Sequence, residues 1–262
     1  MKKSAFKISV FSLLFVFASG VAAPAVLRAE DFNVAVAANF TSPATEIAGL
    51  FEKATGDRPV LSFGSTGNFK TQIINGAPFA ILLAADAKTP LELEEGGEAV
   101  AGTRFTYAKG ALVLWSSEPG YVDDKARVLE KNEFRFIALA NPDLAPYGFA
   151  GREFLKKTNL FDKLESEKKI VTGNNISDTY QSVKTGNAEL GLIAWSQVCK
   201  DNELESGSVY KVPADLYSPI LQDAVLLKKG ADSKAAKAFL DFLRNDPKAL
   251  KIILSYGYEL GN

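Results

Sequence analysis

The chain has 262 residues, of which 30 are basic and 31 acidic, and it contains no histidine and a single cysteine, Cys199. The lack of histidine excludes Ser-His-Asp and Cys-His catalysis as well as histidine metal sites. One cysteine excludes a disulfide within the chain. Because no compact group of carboxylates or lysines takes their place, we expect no enzyme, no cofactor and no metal held directly by side chains.

The N-terminus has the features of a secretory signal peptide. Three lysines precede an apolar run over residues 8–18, and small residues suited to cleavage follow up to residue 29. This run and every later apolar stretch are shorter than the ~20 residues of a membrane-spanning helix. We therefore predict that residues 1–29 are a signal peptide, that the mature chain begins between Pro24 and Asp31, and that it is exported in soluble form.

Removal of the signal peptide makes the chain acidic. It takes away four basic residues and no acidic one, which leaves 26 basic against 31 acidic residues and a net charge of −5. Proteins that bind nucleic acid present basic patches, so we expect no nucleic-acid partner. The remaining length suits one large domain or two domains of ordinary size.

Strand-like and helix-like patterns alternate along the chain, which is typical of α/β layers with a largely parallel sheet. The first half has predicted strands at 33–37, 60–63 and 79–84. Ser42 and Pro43 mark the predicted start of the first helix, because serine caps helices and proline favours the first helical position.

The second half repeats this alternation. Strands are predicted at 136–139, 169–171 and 188–195, with helices near 149–157 and from residue 176. Two helices close the chain, and Asp246 with Pro247 provides the cap and first turn of the last one.

Two long β-prone segments, 106–116 and 220–228, separate these units. They are placed where a chain would leave one lobe and return to it. We therefore predict a discontinuous first lobe of residues 30–109 and 217–262 and a second lobe of residues 110–216. Two crossings make a hinge over a cleft, which suits capture of a ligand by closure.

Four loops follow predicted strands and precede predicted helices, the position at which open α/β sheets bind ligands. They contain Asn39, Ser65 in the turn Gly64-Ser65-Thr66-Gly67, Tyr147 and Ile176. Each loop offers unpaired N–H groups of a helix start, and none has a charged residue at its centre. Neutral donors of this kind suit a small, fully deprotonated oxyanion.

Each of these residues also has a purely structural interpretation. Asn39 suits a turn or a cap, and Ser65 suits the cap of the helix that follows it. Tyr147 suits a packed aromatic residue whose hydroxyl reaches solvent, and Ile176 suits the apolar start of a helix. Taken one at a time, the residues leave both interpretations open.

Taken together, the motifs resemble a known family. VAVAANF at 34–40, FGSTG at 63–67, RFTYAKG at 104–110 and GLIAWSQ at 191–197 occur in the order and spacing of the periplasmic molybdate-binding proteins of ABC importers. The resemblance covers almost the whole mature chain. It implies the type II periplasmic-binding-protein fold, with two α/β lobes of mostly parallel sheet and a ligand cleft between them.

The resemblance also implies a function. A tetrahedral molybdate or tungstate ion would be held by hydroxyl, amide and backbone donors, with Asn39 and Ser65 at ligand positions. Tyr147 and Ile176 would donate their backbone N–H groups. The protein would be a periplasmic monomer that delivers the ion to an ABC membrane permease. Ala38 replaces a threonine common in one branch, so one hydroxyl donor is missing.

Two alternatives stay open. A receptor of the same class would bind another small oxyanion, such as sulfate. A secreted serine-type hydrolase would use Ser65 or Ser177 as nucleophile, although the chain has no histidine base and no G-x-S-x-G elbow at the glycine turn.

Overall fold

The computed structural model describes residues 29–261 together with Met1. The predicted signal peptide, residues 1–29, lies outside the described residues apart from its two ends. Within the described part of the chain, no helix combines the length and the apolar character needed to cross a membrane.

Residues 29–261 form strands and helices in alternation, as the sequence predicts. The strands are β1 (Asp31–Ala37), β2 (Arg58–Gly64), β3 (Ile81–Leu83), β4 (Phe105–Gly110), β5 (Leu112–Ser116), β6 (Ile137–Ala140), β7 (Ile170–Gly173), β8 (Leu190–Ala194), β9 (Cys199–Lys200), β10 (Glu203–Leu204), β11 (Ser208–Lys211) and β12 (Ile220–Leu226). The α-helices are α1 (Thr41–Thr55), α2 (Thr66–Ile74), α3 (Lys88–Glu95), α4 (Arg127–Lys131), α5 (Pro146–Lys157), α6 (Phe161–Ser166), α7 (Ile176–Lys184), α8 (Lys234–Asn245) and α9 (Pro247–Ser255).

The first lobe is built on a five-stranded sheet in the order β2-β1-β3-β12-β4. Strands β2, β1 and β3 are parallel, and β12 is antiparallel to both of its neighbours. Phe51 of α1 and Phe239 of α8 pack on one face, while Phe69 of α2 and Leu93 of α3 pack on the other. Both faces of the sheet are therefore covered by helices, as largely parallel sheets require.

The second lobe repeats this plan with the sheet order β11-β5-β8-β6-β7. Strands β8, β6 and β7 are parallel, and β5 is antiparallel to β8 and β11. Phe154 of α5 packs on one face of the sheet and Val183 of α7 on the other. In each sheet, four of the five strands point the same way.

The connection between the lobes is short. Only Ala111 separates β4 in the first sheet from β5 in the second, so the predicted β segment over 106–116 is divided between the lobes. The chain returns between β11 of the second sheet and β12 of the first. Both crossings therefore run between the two sheets.

Two helices begin earlier than the sequence analysis placed them. α5 starts at Pro146, three residues before the predicted start, because proline's fixed φ and missing N–H suit the first helical position. α1 starts at Thr41 after a 3-10 turn over Ala38–Phe40, so Ser42 is helical and does not cap it. These shifts place Asn39 and Tyr147 within the first turns of helices.

Candidate functional site

The four predicted site residues lie around one small cavity between the lobes. Asn39, Ser65, Tyr147 and Ile176 all line it, together with Ala37, Ala38, Gly64, Thr66, Ala85, Ala145 and Pro146. The volume of this cavity is about 10 Å³, which is room for one small group. None of the lining residues carries a charge.

Four helix starts meet at this cavity because of the strand order. Within each sheet the carboxyl ends of the parallel strands lie at one edge, and the helices that follow them begin there. The first lobe supplies the 3-10 turn after β1 and the start of α2 after β2. The second lobe supplies the starts of α5 and α7, which follow β6 and β7.

Ser65 has an unsatisfied hydroxyl group. It occupies the residue before α2 but makes no side-chain capping hydrogen bond, so the capping interpretation is wrong. The residue is 4% exposed, and its Oγ has no hydrogen-bond partner among the described residues. A buried hydroxyl without a partner costs free energy, and its position beside the cavity points to a bound ligand.

Asn39 is buried, and its side chain is occupied within the protein. Its Nδ2 donates to Gln222 Oε1 and to the hydroxyl of Tyr258, both at 2.8 Å. An amide NH₂ has two hydrogens, so both are used. The donor that Asn39 retains for the cavity is its backbone N–H, in the first turn of the 3-10 segment.

Tyr147 turns its ring away from solvent. The residue is 1% exposed, and its hydroxyl accepts a hydrogen bond from Gln222 Nε2 at 3.2 Å. The interpretation in which this hydroxyl reaches solvent is therefore wrong. Since Tyr147 is the second residue of α5, its backbone N–H has no carbonyl partner within the helix.

Ile176 is the first residue of α7. The capping residue before it, Asn175, determines which backbone N–H groups at this helix start lack a partner. The side chain of Asn175 caps the helix by accepting from the N–H groups of Ser177 at 2.8 Å and Asp178 at 3.1 Å. The cap does not use the N–H of Ile176. The N–H of Ile176 therefore stays available at the cavity, while those of Ser177 and Asp178 are satisfied by the cap.

The two lobes are in contact around the cavity. The N–H of Gly67 donates to the carbonyl of Leu144 at 2.9 Å, and Ser177 Oγ donates to the carbonyl of Ala38 at 3.2 Å. On another side, Ser196 Oγ donates to the carbonyl of Asn39 at 3.0 Å. These bonds join residues of different lobes, so the cleft is closed.

The sequence analysis missed the polar groups behind the cavity. Gln222 is fully buried, and the hydroxyl of Tyr258 has two possible acceptors for its one hydrogen, the carbonyl of Asn39 at 2.9 Å and Ser196 Oγ at 2.8 Å. One signal was present, since the pair Gln222-Asp223 interrupts an apolar run that was predicted as a strand. Buried polar side chains within a strand need partners and mark a specific network.

The tyrosines of this network stay neutral. Burial raises the pKa of Tyr107, Tyr147 and Tyr258 above its ordinary value, so the hydroxyl groups remain protonated at physiological pH. These three hydroxyl groups therefore add no negative charge that would repel an anion. The positive ends of the helix starts are the nearest electrostatic feature of the lining.

A family model for bacterial extracellular solute-binding proteins matches residues 32–259. The chain belongs to this family. The match covers both sheets and all four helix starts at the cavity. A closed cleft between two lobes is typical of solute-binding proteins, so the structure agrees with this family.

Two individual proteins are similar to this chain over most of its length. The molybdate-binding protein ModA of Azotobacter vinelandii is 52% identical over 252 residues, which cover 96% of this chain and 98% of that protein. ModA of Rhodobacter capsulatus is 51% identical over 239 residues, or 91% of each chain. Both relatives bear out the resemblance stated from the sequence motifs.

A solved structure agrees with the fold. The periplasmic molybdate-binding protein of Azotobacter vinelandii superposes with a TM-score of 0.85 at 40% identity, and the match covers 88% of this chain and all of that one. The predicted two-lobed periplasmic-binding-protein fold is therefore confirmed.

Proposed function

We propose that this protein is a periplasmic receptor that binds molybdate and delivers it to an ABC membrane permease. The observation that carries the proposal is the Ser65 hydroxyl, buried without a partner where four helix starts converge on an uncharged cavity. The two ModA relatives, named for molybdate binding, support the choice of ion. Tungstate has the same shape and charge as molybdate, and we propose that it binds as well.

The proposed donors are neutral. Ser65 gives its hydroxyl, and Asn39, Tyr147 and Ile176 give their backbone N–H groups. Hydrogen bonds to a charged acceptor contribute roughly 1.5–3 kcal/mol each. Several of them in a closed cleft can supply the ~8 kcal/mol that micromolar binding requires. Because every donor is neutral, the ion needs no proton transfer to bind.

The lobe boundaries are part of this proposal. We assign residues 30–109 and 217–262 to the first lobe and residues 110–216 to the second, and support comes from the division of β4 and β5 between the sheets. The two crossings then act as the hinge. We propose that the lobes close around the ion and open at the permease, and that the receptor works as a monomer.

A hydrolase built on Ser65 is disfavoured. Its Oγ has no hydrogen-bond partner among the described residues, so no base is in place to accept the proton of a nucleophilic serine. The solute-binding family also implies binding without catalysis. Sulfate remains the competing ion, because a tetrahedral, doubly charged oxyanion would use the same donors.

A thermal-shift panel tests the proposal. Protein without its signal peptide is heated alone and with molybdate, tungstate, sulfate or phosphate. Ligand at 100 times its Kd stabilises a protein by about 2.7 kcal/mol, and we expect molybdate and tungstate to raise the melting temperature by roughly 5–10 °C. Stabilisation by sulfate alone would favour the competing ion, and no shift with any ion would overturn the receptor proposal.

A further inference from the structure

We propose that Gln222 is a positioning residue that fixes one helix start of each lobe relative to the other and so sets the affinity for the oxyanion. The inference rests on the proposed function, since Asn39 and Tyr147 are taken as donors to the ion. Gln222 itself does not line the cavity. Its action is therefore indirect, through the two residues that do.

The side chain of Gln222 has three hydrogen-bond partners. Its Oε1 accepts from Asn39 Nδ2 at 2.8 Å and lies 3.1 Å from the Tyr107 hydroxyl, whose one hydrogen also has the carbonyl of Ala84 within reach at 3.0 Å. Its Nε2 donates to the Tyr147 hydroxyl at 3.2 Å. One amide thus connects the 3-10 turn after β1 in the first lobe with the start of α5 in the second.

The strand pairing at Gln222 is irregular. The pairing of β12 with β4 shifts register between Gln222 and Asp223, and both side chains are fully buried. Such bulges re-aim a side chain, and they are frequent beside functional sites. The residue that this shift leaves unpaired is Tyr107 of β4, whose hydroxyl lies 3.1 Å from Gln222 Oε1.

The hinge leaves room for the contact. Gly110 ends β4, and a Cβ atom there would overlap the Tyr147 hydroxyl and lie 2.7 Å from Gln222 Nε2. Any larger residue would displace the Tyr147 hydroxyl, the Gln222 amide or both. The glycine at the crossing between the lobes and the amide beside it therefore form one arrangement.

Burial makes the arrangement stiff. Asn39, Tyr107, Tyr147 and Gln222 are each less than 4% exposed, so a lost hydrogen bond is not replaced by one to bulk water. Removing the Gln222 amide takes away one of the two acceptors of Asn39 Nδ2 and the hydrogen-bond donor to the Tyr147 hydroxyl, so both side chains are held less firmly. Their backbone N–H groups then meet the ion with poorer geometry although neither residue has been changed.

A double-mutant cycle tests the proposal. Gln222→Met keeps the length of the side chain and removes its hydrogen bonds, and Tyr147→Phe removes only the hydroxyl that accepts from Gln222. Molybdate affinity is measured by calorimetry for both single variants and for the double variant. We expect about tenfold weaker binding for Gln222→Met and about fivefold for Tyr147→Phe, the size of effect produced by losing a buried hydrogen bond.

The double variant gives the decisive result. If Gln222 acts through Tyr147, the two losses are not additive, and the double variant binds about tenfold more weakly than wild type and not about fiftyfold. A role in stability alone would lower the unfolding midpoint of the ligand-free protein without this coupling in affinity. Tyr217→Phe is the matched control, since its buried hydroxyl accepts from the N–H of Leu112 and does not contact Gln222.

The outcomes separate this inference from the proposed function. If wild type binds no molybdate, the proposed function fails. If wild type binds molybdate and folded Gln222→Met binds it equally well, only the positioning role fails. Additive losses in the cycle also overturn it, and Tyr147→Phe supplies its own test if Gln222→Met does not fold.

Discussion

At Ser65, the hydroxyl group is buried beside the cavity and satisfied by nothing among the described residues. We predict that Ser65→Ala weakens molybdate binding by roughly 10- to 100-fold, because it deletes one charge-assisted hydrogen bond. The free energy of unfolding of the ligand-free variant should be equal to that of wild type or up to about 1 kcal/mol higher, since an unpaired buried oxygen is removed. Calorimetry and urea unfolding measure the two effects. Unchanged affinity would remove Ser65 from the site.

Thr66 is the matched control for that experiment. Its Oγ1 accepts a hydrogen bond from the N–H of Ala85 at 3.0 Å, so this hydroxyl has a structural partner. Thr66→Val should therefore lower the free energy of unfolding by about 1–3 kcal/mol by leaving a buried N–H unpaired. Comparing Ser65→Ala with Thr66→Val tests whether the ligand binds at the hydroxyl group that has no partner within the protein.

At the scale of the helices, the cap of α7 decides which N–H faces the cavity. Asn175→Ala removes the acceptor of Ser177 and Asp178, and we predict a loss of about 1 kcal/mol in the free energy of unfolding. Molybdate binding should weaken by roughly three- to tenfold, because the freed N–H groups let the helix start fray around Ile176.

A second capped helix supplies the control. Ser233 caps α8 by accepting from the N–H of Ala236 at 2.9 Å, and neither residue lines the cavity. Ser233→Ala should cost a similar free energy of unfolding and leave molybdate affinity unchanged. Equal losses of affinity in both variants would mean that Asn175 acts through global stability and not through Ile176.

The helices also show what a sequence can predict. Alternating strand and helix patterns predicted the α/β class, which is confirmed. Loops after strands predicted Asn39, Ser65, Tyr147 and Ile176 as site residues, and all four line one cavity. Gln222 was missed because its partners are distant in sequence, with Asn39 183 positions away. The register shift beside it depends on pairing between β12 and β4, which no local pattern encodes.

At the scale of the whole molecule, a surface contact holds the lobes together far from the donors. Lys200 Nζ donates to Glu46 Oε1 at 2.9 Å and lies 3.9 Å from the centroid of the Tyr256 ring. Glu46 belongs to α1 of the first lobe and Lys200 to β9 of the second. The contact therefore stabilises the closed cleft without touching its lining.

We predict that Lys200→Gln weakens molybdate binding by about two- to fivefold, the effect of a half-exposed ion pair. The difference from wild type should vanish in about 1 M salt, which screens such pairs. Binding kinetics should show faster dissociation. Arg58→Gln breaks the Arg58–Asp31 pair within the first lobe and should leave affinity unchanged; a loss there would point to a general effect of surface charge.

The same contact predicts a dependence on pH. Burial raises the pKa of Glu46, but hydrogen bonds from Tyr256 and Lys200 outweigh it and bring the pKa below its ordinary value of 4.5. The ionised Glu46 stabilises closure fully above pH 4.5, and this contribution is lost as the pH falls from 4.5 through the lowered pKa. Wild type should therefore approach the dissociation rate of Lys200→Gln once the pH lies below that lowered pKa, which stopped-flow measurements at matched ionic strength would reveal.

The hydrogen bond between Gly67 and Leu144 crosses from lobe to lobe beside the cavity. A Cβ at position 67 would lie only 3.0 Å from Leu144 Cα and O, so the backbones approach as closely as glycine permits. An ion enclosed there leaves no faster than this backbone pair separates. The residence time of the ion therefore depends on how fast two main-chain segments separate. An interaction that opens the lobes would determine when the ion is released.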